Sequence, residues 1–557
     1  MTISDLNDDI LWTVFQLCAV DWSEGPAKRL TLTRRASQVC RTWRNVLLNS
    51  TTIWGNLICM QHNDPHTSAA YLSLVLSRSQ SSLLQVFVSL SSSIGQVSSV
   101  EAIARQVLFF KTCQMQWNRI SLLEVTLHFP ANISLDDPIS TIRDSKNWTF
   151  LTRPAAKLQR LALRMVGNHP GRLDRTSFPQ ALPISAPVLH TFISTSFDFR
   201  VSPHWFSQLR TLSVETINKP RQPNSFHLLM LQALRAMRSL QMLFLPYIPL
   251  SDRGFILLEQ AGSLPVIEFP YLTFFRVSGQ LASAVSLAYA IRSAQALLSI
   301  SMDVIVTRGD PLHMSSLTRL SEYLQEKVQY DAALNSVPSS RVCLIVGDQS
   351  VVIANHEAYP SMAPSISTVG RLTYALKMSW HMQGIQEQDL MDVADVYQFN
   401  HFHFYVSTLC LHTSIVQGSR PLLKQSFHLL SPFSSVETLE IELSSLRVIT
   451  SKITPPTQSS DDQSLLMRKR IAPEDFFPDI KTLRVRKGEA ATLHHVIELF
   501  EFLLARQHAE MPILVLCVDK DAFDVPQNLA LFDYLEGLEI LYYDGPIRRR
   551  HICRLLQ

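Results

Sequence analysis

Apolar residues recur along this chain in two rhythms, and each predicts a different kind of element. The first runs from Asn7 to Leu48 at helical spacing. Ile10, Val14, Leu17 and Cys18 form one ridge, while Leu11 and Phe15 form a second beside it. Asn7 is placed to cap the first backbone N–H groups of this helix, and Asp8 and Asp9 sit where the positive end of its dipole favours carboxylates. One ridge is enough to pack the helix on its own domain, so the second requires another surface. A second helix is predicted from about Thr31 to Leu48, with Leu32, Ala36, Val39, Cys40, Trp43 and Leu47 on one side and Arg34, Arg35, Arg41 and Arg44 mostly on the other. The polar stretch Asp21 to Arg29 reads as a loop between the two. A module of about 55 residues buries only about 60% of the surface its unfolded chain exposes, so support from the rest of the chain or from a partner is expected.

The second rhythm is a short segment, apolar-x-x-Leu-x-apolar. It appears as ISLLEV (Ile120 to Val125), LQRLAL (Leu158 to Leu163), LRTLSV (Leu209 to Val214), LQMLFL (Leu240 to Leu245), LTFFRV (Leu272 to Val277), VETLEI (Val436 to Ile441), IKTLRV (Ile480 to Val485) and LEGLEI (Leu535 to Ile540). Apolar residues two apart point the same way from an extended strand, and the one three earlier turns inward from the preceding loop. LLQVFVSL, inside the Ser-rich stretch Ser77 to Ser99, alternates like a first strand, and Val188 to Ile193 supplies an intermediate one. Helices are predicted between strands at Val97 to Met115, Phe226 to Met237, Gly279 to Ala296 and Ala491 to Arg506. One short parallel strand per unit, returned through a helix, cannot bury its apolar face alone and stacks on the next unit. The spacing between segments is uneven, and Ser301 to Pro432 gives no dependable register. Possible strands there are Val342 to Val346 and Leu372 to Leu376, with long loops at Asn355 to Ser367 and Ser451 to Asp479.

The first rhythm resembles the F-box family, specifically the F-box-like proteins of mushroom-forming fungi. Leu6 stands at the Leu of the opening LP-x-E-[IL]-L, with Asn7 in place of the proline. Asp9, Ile10 and Leu11 match E-[IL]-L, Val14 and Phe15 match the I-F pair, VCRTWR (Val39 to Arg44) matches V-C-[RK]-x-W-R, and Ser50 to Trp54 matches the closing T-P-x-L-W. The resemblance implies a three-helix module that binds the Skp1-like adaptor of a cullin-RING ubiquitin ligase. It implies an interface drawn from Leu6, Ile10, Leu11, Val14, Phe15, Val39, Trp43 and Trp54, residues that touch the adaptor or hold the helices that do. The second rhythm resembles the irregular leucine-rich-repeat region common behind fungal F-boxes. The expected fold class is therefore α/β, a small helical module followed by an irregular solenoid of parallel strands and helices. Boundaries fall at 1–58 for the module, 59–69 for a linker, 70–545 for the repeats and 546–557 for a basic tail. The candidate substrate face is made of variable strand positions: Glu124, Gln159, Arg210, Ser213, Arg276, Glu440, Arg484 and Glu539.

Composition narrows the classes further. At 46% hydrophobic and 17% charged residues the 557-residue chain has the makings of a large core, and a formal charge of +3 gives no electrostatic footprint for nucleic acid. The run Arg548 to His551 reads as a solvated tail. The N-terminus lacks the pattern of a secretory signal, no run of eighteen apolar residues occurs, and the eight cysteines form no CxxC pair. Cytoplasm, nucleus or both is the expected setting, with no membrane or nucleic-acid partner. There is no G-x-S-x-G, Walker-type loop, G-x-G-x-x-G or H-E-x-x-H. His401, His403 and His412 form the densest histidine group and read as strand histidines, and Asp461 and Asp462 as a solvated pair. No catalytic residue, cofactor or metal is expected. The leading reading is a non-enzymatic substrate adaptor of an SCF-type ubiquitin ligase. The alternatives are a leucine-rich interaction scaffold outside any ligase, and an enzyme on an open α/β sheet.

Overall fold

The structure is a computed structural model, and it describes residues 6–20, 26–60, 69–91, 99–128, 142, 145–166, 186–195, 207–215, 231–245, 266–293, 299–306, 315–320, 322–324, 326, 341–347, 350–355, 373–380, 406–414, 435–443, 445–446, 477, 479–486, 493–519, 522–523, 525–544 and 547–554. The fold is mixed α/β and divides into two compact units, Met1–Leu272 with Ala290–Gln295 and Thr273–Tyr289 with Ala296–Gln557.

The first unit begins with helix α1 (Asp8–Val20). The Asn7 side chain accepts from the Asp9 N–H at 3.1 Å, and its carbonyl accepts from Ile10 and Leu11. The single helix expected over Thr31 to Leu48 is two helices, α2 (Pro26–Ala36) and α3 (Arg41–Asn49). Pro26 opens α2, where its missing N–H costs nothing, so the expected loop Asp21 to Arg29 already contains the first helical turn. The break falls at 37–40. The Ser37 hydroxyl donates back to the Arg34 carbonyl, and Cys40 is extended with its sulfur accepting from the Trp43 N–H. A short helix α4 (Thr51–Gly55) follows. Leu11, Phe15, Ala19, Leu30, Leu47, Ile53 and Leu57 form one buried cluster, with Leu6, Ala36, Trp43, Val46 and Tyr71 packed against it.

Strand β1 (Ile58–Met60) leaves this cluster and pairs in parallel with β2 (Leu84–Ser91), after helix α5 (Ala69–Ser79). The expected linker thus starts inside a strand, and 61–68 lie outside the described residues. Then come α6 (Ser99–Gln116), β3 (Ile120–His128), β4 (Arg160–Val166), β5 (Thr191–Thr195), β6 (Thr211–Glu215) and β7 (Met242–Leu245). Each strand from β1 to β7 pairs in parallel with the next in sequence. One register column holds Val86, Leu123, Leu161, Phe192, Leu212 and Leu243, all buried. Its partner column, Val88, Val125, Leu163, Ser194 and Val214, faces the same side. Phe109 and Phe110 of α6 pack beside it against Trp148 and Phe150 of the 3-10 helix Ser145–Thr152. Strands β8 (Ile267–Phe269) and β10 (Ile291–Ser293) form a separate parallel pair.

The second unit contains β9 (Phe274–Gln280), most of α7 (Leu281–Ala290), β11 (Ser299–Val306), β12 (Arg341–Gly347), β13 (Ser350–Asn355), β14 (Thr373–Trp380), β15 (Thr408–Ser414), β16 (Thr438–Glu442), β17 (Thr482–Arg486), α8 (Leu493–His508), β18 (Val515–Val518), α9 (Val525–Phe532), β19 (Glu539–Asp544) and β20 (Ile547–Ile552). From β15 to β19 sequence order again equals spatial order, all parallel. Among the described residues of the second unit, two places depart from a ladder of parallel strands in sequence order. The run β12–β13–β14 is an antiparallel meander, so that β11 pairs with β14 and β12 with β15. The expected basic tail is instead β20, antiparallel to β19 over its whole length. The loops expected at 355–367 and 451–479 fall almost entirely outside the described residues.

A backbone device recurs in both units. The carbonyl before one strand accepts two N–H groups from the entry of the next: His190 and Thr191 donate to Gln159, Arg210 and Thr211 to His190, and Gln241 and Met242 to Arg210. In the second unit Glu437 and Thr438 donate to Ser407, Lys481 and Thr482 to Glu437, and Leu514 and Val515 to Lys481. Strand entries are thereby locked in step before any side chain contributes.

Candidate functional site

The N-terminal helices sort the predicted adaptor residues into two groups. Leu11, Phe15 and Trp54 are buried at 2%, 5% and 3% exposure, and Trp54 donates its indole N–H to the Leu47 carbonyl at 2.7 Å. Phe15 meets Trp43 edge to face, with ring centroids 5.1 Å apart. Leu6 and Trp43 are half-buried against the same cluster. These five residues hold the helices together. Ile10, Val14 and Leu17, at positions i, i+4 and i+7 of α1, are exposed instead, as is Val39 in the turn between α2 and α3. The two ridges of α1 therefore have different fates. Trp12 donates its indole N–H to the Ser50 hydroxyl at 2.8 Å and fixes the rotation of α1 that turns Leu11 inward and Ile10 outward. Leu17 belongs to the exposed ridge, although the family pattern did not single it out.

The N-terminal helices are seated on the first strands. Arg29 of α2, itself buried, donates to the Ala19 carbonyl at the end of α1 and lies 4.8 Å from the ring of Phe87 on β2. Gly55 closes α4 against the backbone before β2, where an added Cβ would overlap the Leu83 carbonyl oxygen. The Arg78 guanidinium lies over the Trp54 ring, 4.6 Å from its centroid.

The predicted substrate-face residues occupy the strand face opposite the apolar columns, or the strand entries. In the first unit Glu124 and Ser213 share one register column, joined through Ala162 and Ile193. Gln159 and Arg210 are exposed side chains at strand entries. Arg276, on β9 of the second unit, pairs in register with Ser301 of β11. In the second unit Glu440 and Arg484 are direct register partners, and Glu539 pairs with Val515.

Several of these charged positions are engaged with neighbouring side chains. Glu124 binds Arg164 at 3.0 Å and Arg160 at 3.4 Å, the residues two before and two after its register partner Ala162. Glu440, at 4% exposure, also binds two arginines of the next strand: Arg484 is its register partner at 3.8 Å, Arg486 lies two further on at 3.2 Å, and the Cys410 thiol donates to it at 3.2 Å. Arg484 also grips Asp519 at 2.8 Å, and Arg550 grips Glu539 at 2.7 Å. Opposite charges on adjacent strands hold register, and much of the charge on this face is internally matched.

Titratable groups show the cost of burial. His190 is held below its ordinary value by burial, with Arg210 and Arg160 adding to the effect. Burial raises the thiols of Cys113 and Cys517, and lifts Cys553 to about 11 with Asp533 contributing. A raised thiol stays protonated at neutral pH and is a poor nucleophile. His401, His403, Asp461 and Asp462 lie outside the described residues, as does the side chain of His412. Among the described residues, three of metal-ligating type come together at Asp533, His551 and Cys553. No helix among the described residues is long and apolar enough to cross a membrane. No protein-family model matches the chain, and no curated protein is significantly similar to it.

Proposed function

We propose that this chain is a non-enzymatic substrate adaptor of an SCF-type ubiquitin ligase, docking a Skp1-like adaptor through α1 and the α2–α3 turn and a protein substrate through its strand ladders, in the cytoplasm, the nucleus or both. The observation that carries the reading is the exposed apolar ridge of α1, Ile10, Val14 and Leu17, beside a fully formed buried ridge, Leu11 and Phe15. The inner ridge already satisfies the packing of the helix. The outer one leaves side chains 43% to 62% exposed, the arrangement of a helix with a second partner. The sequential parallel ladders β1–β7 and β15–β19 support a repeat-like framework on which substrate contacts are spread. The chain's part in transfer is proximity, holding substrate lysines at high effective concentration while another subunit performs the chemistry.

The test is co-purification of the full chain with a Skp1-type adaptor, for wild type and for Ile10→Asp with Val14→Asp. Both positions are exposed, so the double variant keeps its fold while losing the complex. Leu11→Asp unfolds the module and serves as the control for indirect loss. Deleting the first 69 residues would be a poor test, because it strips β1 from β2 and uncovers Phe87. A folded wild-type chain that fails to bind overturns the ligase reading and leaves an interaction scaffold outside any ligase.

A further inference from the structure

The end of the second unit carries a cluster that the docking reading does not use. In the ladder β16–β17–β18–β19 the inner register column runs Leu439, Leu483, Leu516, Ile540, all fully buried. The next member, on β20, is His551. A histidine closes an apolar column at the position where a leucine or isoleucine would continue it, and its ring is turned to polar company. His551 Nε2 lies 2.7 Å from Asp533 Oδ1, in the turn that ends α9. Two residues on, Cys553 is 1% exposed. One ligand atom from each of the three lies within 4.8 Å of the other two.

We infer that Asp533, His551 and Cys553 form a zinc site that staples the last strand of the second unit to the turn after its last helix. The inference is independent of the adaptor reading. A thiolate, an imidazole and a carboxylate are the ligand types zinc takes, and two negative ligands with a neutral imidazole neutralise the dication. With zinc bonds of about 2.0 to 2.3 Å, tetrahedral ligands sit about 3.4 to 3.6 Å apart. The His551–Asp533 pair therefore opens by less than about 1 Å and the sulfur moves inward by up to about 1.2 Å, within reach of side-chain rotation. The backbone beneath is already set. The Cys553 N–H donates to the Leu538 carbonyl at 2.9 Å, and its carbonyl accepts from the Gly537 N–H at 3.1 Å. The Asp533 N–H is held by the Leu529 carbonyl at 3.0 Å. His551 and Cys553, two apart in an extended segment, present the same side. Asp533 and His551 remain 23% and 30% exposed, which leaves the fourth coordination position to water. Binding exchanges the Cys553 S–H bond for a sulfur–zinc bond and releases the proton to solvent.

The full chain, stripped with a chelator and titrated with cobalt(II), tests this. A thiolate-to-cobalt absorption band should grow to saturation at about one ion per chain and be displaced by zinc. Cys553→Ser should abolish the band, and Asp533→Asn should weaken binding by about tenfold or more. Added zinc should raise the unfolding temperature of the wild type and not of Cys553→Ser. A folded wild-type chain with no thiolate band at saturating cobalt overturns the site, as does a band that survives in Cys553→Ser. The wild-type spectrum decides even where a variant misfolds. If His551→Gln destabilises the chain equally with and without zinc, the cluster is a hydrogen-bonded end cap and the metal site is refuted.

Discussion

At the residue scale, the two ridges of α1 show what periodicity contains and what it omits. Ile10 and Leu11 both fall on helical spacing, and nothing in that spacing says which turns inward. The choice is made by long-range partners: Leu47, Ile53 and Leu57 receive Leu11 and Phe15, and the Trp12–Ser50 hydrogen bond sets the rotation. The family resemblance treated all of them as one interface for the same reason. Gly55 was invisible in the sequence because its requirement lies in the Leu83 backbone, 28 positions along. Gly55→Ala must displace that backbone or tilt α4, and a loss of about 1 to 3 kcal/mol is expected in a denaturant titration of the full chain. Gly537→Ala is the contrast. It meets no neighbour but sits at φ +83°, so its cost of about 1 to 2 kcal/mol is conformational. His190 gives a pH-dependent prediction. Burial and two arginines keep its folded-state pKa below the ordinary 6.5, so as pH falls below about 6.5 the unfolded chain takes up a proton that the folded one refuses. Stability contributed by the neutral ring is complete above that value and declines through it. His190→Gln should flatten this part of the stability–pH curve, and an unchanged slope would remove His190 as its source.

At the scale of elements, strands with an apolar pair two apart were legible, and their partners were less so. LQRLAL, LRTLSV, LQMLFL and IKTLRV became β4, β6, β7 and β17, because burial of alternate side chains is written into each segment. LEGLEI reads the same but is used differently: Leu535 and Leu538 close a turn through a hydrogen bond, and only Ile540 of its apolar residues joins the inner column. Of the meander β12–β13–β14, the strands expected at Val342 to Val346 and Leu372 to Leu376 overlap β12 and β14, whereas β13 and the antiparallel pairing were missed. VVIAN lacks the spaced leucines of the repeat, and pairing direction is decided by the connections between strands rather than by composition. The charged pairs were read as a free face, because sequence distance hid that Glu440 and Arg484, 44 residues apart, are register neighbours. Removing one guanidinium from this network leaves the buried Glu440 carboxylate less well compensated. Arg486→Met should destabilise the chain by about 2 to 3 kcal/mol, since it takes the closer guanidinium from a carboxylate that water does not reach. Combining it with Glu440→Leu should restore most of that loss. A double-mutant cycle in denaturant reads the coupling, and simple additivity would show that the network holds no register.

At the scale of the molecule, a ladder of parallel strands must end somewhere, and the end exposes a row of N–H and C=O groups ready to pair with another chain. In the second unit this role falls to β20. It runs antiparallel to β19, and all its side chains are exposed except the half-buried His551. Its sequence IRRRHI looked like a solvated tail because charge density is a poor marker of strand, and pairing with β19 is a property of the neighbour. The same charges suit an edge. Arg548, Arg549 and Arg550 in succession repel a second copy of the strand, and Arg550 is tied back to Glu539. Without β20 the exposed edge would be β19, where EILYYD carries Leu541, Tyr542 and Tyr543 with Glu539 and Asp544 as its charges. A chain ending at Asp544 should therefore self-associate at concentrations where the full chain does not, seen as larger species by light scattering that grow with protein concentration. Replacing Arg548 and Arg549 by Thr, with β20 kept, should give a milder form of the same behaviour. If the shortened chain stays as disperse as the full one, edge protection is not what β20 contributes, and its place at the end of the ladder serves to close the core over Ile540.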